Sequence, residues 1–200
     1  MIPETGADKK IRLLKCTKWP NEWIEFKTLL EDIDAYDCTH FYMNQTHYLL
    51  VYSVVENNRV LEMIDIFDSQ TKKKKLVEYN NEDNQSPGRP AGNFIFEKDK
   101  IIRCVQPSIS FYGEKVEFYN CVFSKTFKER KIAEINSTSF SLNSHMKYDG
   151  VHTYNYFNGV EVIDLVIKKR VNVFKPFRLL FQKLHVFGYG KYDLERKKVF

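Results

Sequence analysis

Short runs of alternating or β-branched and aromatic residues, cut by turn residues at close intervals, constrain this chain more than any other feature. They fall at residues 11–16, 23–29, 47–54, 60–67, 93–96, 101–105, 116–123, 131–135, 153–157 and 160–167. Such residues suit a pleated, half-buried surface. Asn44-Gln45, Asn57-Asn58, Ser86-Pro87-Gly88, Lys98-Asp99 and Asn158-Gly159 separate the runs, and the last is a tight-hairpin signal. The expected class is mainly β, an antiparallel sandwich, barrel or propeller; periodicity alone does not choose among these. The lysine run at residues 72–75 and the polar residues 80–87 read as a solvated loop.

Charge divides the chain. The formal net charge is +5, yet from Lys168 onward ten Lys/Arg face two Asp/Glu, so residues 1–167 carry a net −3. An acidic β body without basic-aromatic signatures argues against nucleic acid. In the tail, Pro176 suits a first helical turn, and Phe177, Leu180, Phe181 and Leu184 follow at amphipathic spacing. Residues 171–200 are expected to form a basic amphipathic helix, capping the body or meeting an anionic membrane surface or acidic partner. The start has no basic head with an apolar run, and no stretch approaches a membrane span, so a cytoplasmic, at most membrane-peripheral, protein is expected. Cys16, Cys38, Cys104 and Cys121 are scattered and read as reduced thiols; neither a metal site nor a cofactor is expected.

Between Pro87 and Gly159 lie five of the eight glycines and three of the six prolines, amid polar groups that rigid loops would hold. Arg89 and Arg103 carry guanidinium forks suited to carboxylate or phosphate. Gln106, Tyr112 and His152 add neutral donors and rings that could stack on a sugar. The set suits a polyhydroxylated, anionic ligand.

The order Arg89-Pro90-Ala91-Gly92, Ile102-Arg103-x-x-Gln106, Tyr112-Gly113, Gly150-x-His152-Thr153-x-Asn155 and Val162-Ile163-Asp164 resembles the N-terminal propeller domain of glucosamine inositolphosphorylceramide transferases. Bacterial relatives of that domain accompany surface-polysaccharide synthesis, and it is similar to the five-bladed propellers of arabinanase and xylosidase glycoside hydrolases. Met1-Ile2-Pro3-Glu4, Trp19-Pro20-x-x-Trp23 and Asp37-Cys38-Thr39-His40-Phe41 with Tyr48-Leu49-Leu50 extend the likeness over residues 1–170. Leu165 stands where that family commonly has glycine.

The resemblance implies antiparallel propeller blades, about three of a five-bladed type, in residues 1–170, with the tail as a separate segment. It starts at the family's middle blades. A gene fragment, a second chain completing the ring and a self-sufficient open stack are the outcomes this leaves. The implied function is a carbohydrate-binding or glycosyl-transfer-associated module in surface polysaccharide or glycolipid assembly. Its ligand, a glycan or sugar phosphate, would be held by Arg89, Arg103, Gln106, Tyr112, His152 and Asp164. Whether such a domain is an enzyme stays open. A glycosidase would need paired carboxyls, for which Asp37 and Glu4 are the candidates. A non-catalytic interaction module recruited by its basic tail is the third reading.

Overall fold

The computed structural model describes residues 1–4, 8–56, 58–68, 73–79, 88–107, 111–124, 126–140 and 148–167. All but Ile167 belong to one unit, Met1–Val166. The predicted helical tail at 171–200 lies outside the described residues.

Among the described residues there are thirteen strands: β1 Lys10–Lys18, β2 Glu22–Glu31, β3 Ala35–Met43, β4 Thr46–Val55, β5 Asn58–Asp65, β6 Lys73–Tyr79, β7 Arg89–Pro90, β8 Ile95–Glu97, β9 Lys100–Gln106, β10 Lys115–Phe123, β11 Phe127–Asn136, β12 Gly150–Phe157 and β13 Val160–Val166. They form four sheets in chain order. A β1–β2 hairpin comes first, then the meander β3-β4-β5-β6, then β7-β9-β10-β11 with β8 beside β9, then the β12–β13 hairpin. Every pairing is antiparallel. The order runs open: among the described residues no pairing closes the sheets into a barrel or ring. Among the described residues no helix is long and apolar enough to cross a membrane.

The tight turns follow local chemistry. Asn44 and Gln45 take φ of 50° and 63°, and Asn158 and Gly159 take 49° and 81°. Two consecutive left-handed residues make a hairpin whose twist matches its strands, and Asn and Gly reach that region at least cost.

Three apolar clusters weld neighbouring sheets face to face. Strand β4 shows how. Its Leu49 and Val51 pack with Ile11, Leu29 and Leu30 of the first sheet, while Leu50 and Tyr52 turn to the other face and join Phe41 and Phe94. Alternate residues point to opposite faces, so a strand buried on both sides reads as the unbroken run Tyr48-Leu49-Leu50-Val51-Tyr52. The third cluster joins Ile102, Cys104 and Val116 to Val151 of β12.

Residues 73–75 of the lysine run are not a loop; Lys72 and the polar residues 80–87 lie outside the described residues. Lys73, Lys74 and Lys75 open the edge strand β6 with exposed side chains. Edge lysines are a common guard against strand addition from another chain, and β propensity gave no warning because charge dominates the run.

Register also explains a charge cluster. Strands β10 and β11 place Glu117 directly opposite Glu134, an unfavourable like-charge pair. Lys115 and Lys131 sit between them. Both bond Glu117 Oε1, at 2.9 and 2.6 Å, and both bond Glu134 Oε2, at 2.8 and 2.6 Å. Those bonds hold the Glu134 carboxyl down from the ordinary 4.5 to about 2. A carboxyl lowered by folding stabilises above its unfolded value, and that stability is lost as protons compete. Stability should therefore fall as pH drops from about 4.5 toward 2, and Glu134→Gln should flatten this limb in urea unfolding measured across pH.

Candidate functional site

Two bulges and one glycine turn collect polar groups at the starts of β3, β7 and β12. In β3 the register slips between Tyr36 and Thr39, and Asp37 sits at φ 49°. Bulges re-aim side chains, and a strained non-glycine residue persists only where its surroundings fix it. Here Asp37 Oδ2 meets Arg89 Nε at 2.6 Å, and the Asp37 amide donates to Glu4 Oε2 at 3.3 Å. Arg89 stands in β7, with its guanidinium carbon 5.1 Å from the Tyr36 ring centre and 5.7 Å from that of Tyr112. Burial is the largest influence and opposes the Arg89 charge; the hydrogen bond that Arg89 donates to Asp37, together with the charges of Asp37 and Glu4, outweighs it and holds the group above its usual value. Among the described residues only Nε of this guanidinium is hydrogen-bonded.

Strand β12 supplies the other half. A register shift between Val151 and Thr153 falls at His152. His152 Nδ1 lies 2.9 Å from Asp164 Oδ2 on β13, and its Nε2 is hydrogen-bonded to the Tyr112 hydroxyl. The Tyr112 and His152 rings are 4.5 Å apart at 46°. A continuous line of contacts thus runs Glu4, Asp37, Arg89, Tyr112, His152, Asp164. Beside it a pocket of about 190 Å³ is lined by Ile2, Pro3, Glu4, Lys10, Ile11, Ala35, Asp37 and Cys38.

Six of the eight residues expected from sequence are brought together in this way. Arg103 and Gln106 are not among them. Arg103 is 2% exposed; its Nε and Nη2 bond the Glu129 carboxylate at 2.8 to 3.0 Å and its Nη1 donates to Gly88 O at 3.0 Å. Its place is inside the third sheet, locking β11 to the chain before β7. Gln106 is also buried, opposite Arg89 in the β7–β9 ladder, with Nε2 lacking a hydrogen-bond partner among the described residues. Tyr36 was not expected. Its position beside Asp37 was the available signal, but the bulge that turns its ring toward Arg89 is invisible in the residue pattern.

A second pocket, about 360 Å³, shares Ile2 and Cys38 with the first. Its walls are Met1, Ile2, Leu13, Ile66 and Phe67, with His40 and His47 stacked at 5.2 Å and joined by a 3.0 Å hydrogen bond. Burial, then His47, lowers His40 below the usual imidazole range. Among the described residues no three His, Cys, Asp or Glu are arranged to hold a metal ion. The four cysteines are unpaired, and burial pushes the Cys38, Cys104 and Cys121 thiols up to about 12, away from the thiolate chemistry of reactive cysteines.

No family model, curated protein or solved structure matches the chain.

Proposed function

We propose that residues 1–166 form blades of a propeller-type domain whose polar end, at Tyr36, Asp37, Arg89, Tyr112, His152 and Asp164, binds a glycan or sugar phosphate. The observation that carries this is the contact line itself. Ring faces at Tyr36 and Tyr112 flank a cation with terminal nitrogens unengaged among the described residues, and carboxylates stand at both ends. Sugars are held by stacking on aromatic rings with hydrogen bonds to their hydroxyls, and an Arg fork pairs with carboxylate or phosphate. The four-stranded meander β3–β6 and the five-stranded antiparallel sheet β7–β11, each followed or preceded in the chain by a two-stranded sheet, support the blade reading, and the open order leaves room for a second chain to complete the ring. With the motif resemblance, this supports a role in surface polysaccharide or glycolipid assembly.

Titration calorimetry with hexose phosphates, nucleotide sugars and uronic-acid oligosaccharides tests the reading. At least one should bind, and Arg89→Ala or Tyr112→Ala should weaken it by roughly tenfold, about 1.4 kcal/mol. No binding by any of the three classes would overturn it. The glycosidase reading keeps one observation, the meeting of Glu4 and Asp37 at one pocket. Aryl-glycoside turnover that Asp37→Asn abolishes would favour it instead.

A further inference from the structure

Two departures from regular backbone and one close backbone approach converge on one hydroxyl. The first is the register shift at His152. The second is Gly113, at φ +77°, where a Cβ would stand 2.6 Å from Val166 Cγ2. The third is Gly150, whose Cβ would stand 2.0 Å from Gly113 O. Together they let the turn carrying Tyr112 lie against β12, which puts its hydroxyl on His152 Nε2. Asp164, paired across the β12–β13 ladder, takes the other ring nitrogen. A carboxylate at Nδ1 selects the tautomer with Nδ1–H, leaving Nε2 as an acceptor for the phenol proton.

Burial raises Tyr112 above the ordinary tyrosine value, although Arg89 pulls the other way. A group of this kind reacts only where a neighbouring base takes its proton as the reaction proceeds. His152 is such a base, and Asp164 is placed to stabilise the imidazolium.

We propose that Tyr112, His152 and Asp164 form a proton relay serving a hydroxyl of a bound glycan. The ligand O–H bond breaks and its proton passes to Tyr112 Oη, while the Tyr112 proton passes to His152 Nε2. The result is a ligand alkoxide beside the Arg89 guanidinium and an imidazolium held by Asp164. Tyr112 is the group that meets the ligand; His152 and Asp164 act through it. This rests on the reading of the same face as a carbohydrate site.

An aryl sulfonyl fluoride tests the relay without any sugar. Attack by Tyr112 Oη forms an O–S bond, fluoride leaves, and the phenol proton goes to the base. Tyr42, 52% exposed and touching the His47 ring at 4.8 Å but with no hydrogen bond to it among the described residues, is the internal control for Tyr112, 59% exposed. Peptide mass spectrometry at pH 7.5 should show Tyr112 labelled at least tenfold faster than Tyr42. His152→Gln should bring Tyr112 down to the Tyr42 rate. Asp164→Asn, at an exposed position, should slow it several-fold with Tyr42 unchanged. Equal labelling of the two tyrosines, or a Tyr112 rate indifferent to Asp164→Asn, would overturn the relay. Fast labelling that no sugar of the calorimetric panel protects would leave the relay standing and count against the carbohydrate reading.

Discussion

Gly92→Ala is expected to separate the β12–β13 hairpin from the rest of the fold. Gly92 has φ +144°, and a Cβ there would lie 1.7 Å from Tyr154 O and 2.7 Å from Tyr154 C. No rotamer relieves a clash of Cβ with backbone, so the loop between β7 and β8 must lift from β12. Lifting it breaks Tyr154 N–H to Ala91 O at 2.8 Å, Asn93 N–H to Asn155 Oδ1 at 3.0 Å, and the paired bonds of the Asn93 amide with the Tyr156 backbone at 2.7 and 2.9 Å. Each is worth about 1 kcal/mol net, and a buried group left unpaired costs more. The expected loss is at least about 4 kcal/mol, a large part of the ~5–15 kcal/mol that holds a domain folded. Gly159→Ala is the matched control. Its φ is +81° but nothing lies within 4 Å of the added methyl, so only about 1 kcal/mol of backbone strain applies. Urea unfolding midpoints read the difference. If Gly92→Ala is no worse than Gly159→Ala, the loop does not approach β12 as closely as described.

That loop shows what the residue pattern can and cannot carry. Arg89-Pro90-Ala91-Gly92-Asn93 was legible as a rigid polar segment because glycine and proline punctuate it. The reason for rigidity was not, because Asn93 and Tyr156 are 63 positions apart. Strands β4, β5, β9, β10 and β12 were legible from alternating or unbroken apolar runs, which report burial of one face or of both directly. Strand β6 was hidden because an edge strand has one ladder and needs charge more than it needs packing. Within the candidate site, residue types were legible and partners were not. Asp37, Arg89, Tyr112, His152 and Asp164 were each chosen for their chemistry, yet the bulges that aim Asp37 and His152 at their partners depend on how three strands meet. A guanidinium is equally suited to a ligand phosphate or an internal carboxylate, and Arg89 and Arg103 differ only in which strands surround them.

Arg103 makes that distinction measurable. Arg103→Met should destabilise the fold by about 3–5 kcal/mol, because the Glu129 carboxylate, with an 11% exposed side chain, is left as a buried charge without its partner. Arg103→Lys should recover only part of this: an ammonium cannot make the forked contact with both Glu129 oxygens while also reaching Gly88 O. The double variant Arg103→Met with Glu129→Leu should regain most of the lost stability, since removing both charges also removes the cost of keeping them from water. Guanidinium chloride unfolding of the three variants gives the order. The double variant then isolates function from folding. With the fold restored, a structural Arg103 leaves sugar affinity within about twofold, whereas Arg89→Ala weakens it about tenfold in the same titration. A stable double variant that binds tenfold more weakly would return Arg103 to the ligand-contacting residues. It would also mean that the third sheet opens on binding, because no ligand can reach a side chain 2% exposed while the Glu129 pair is intact.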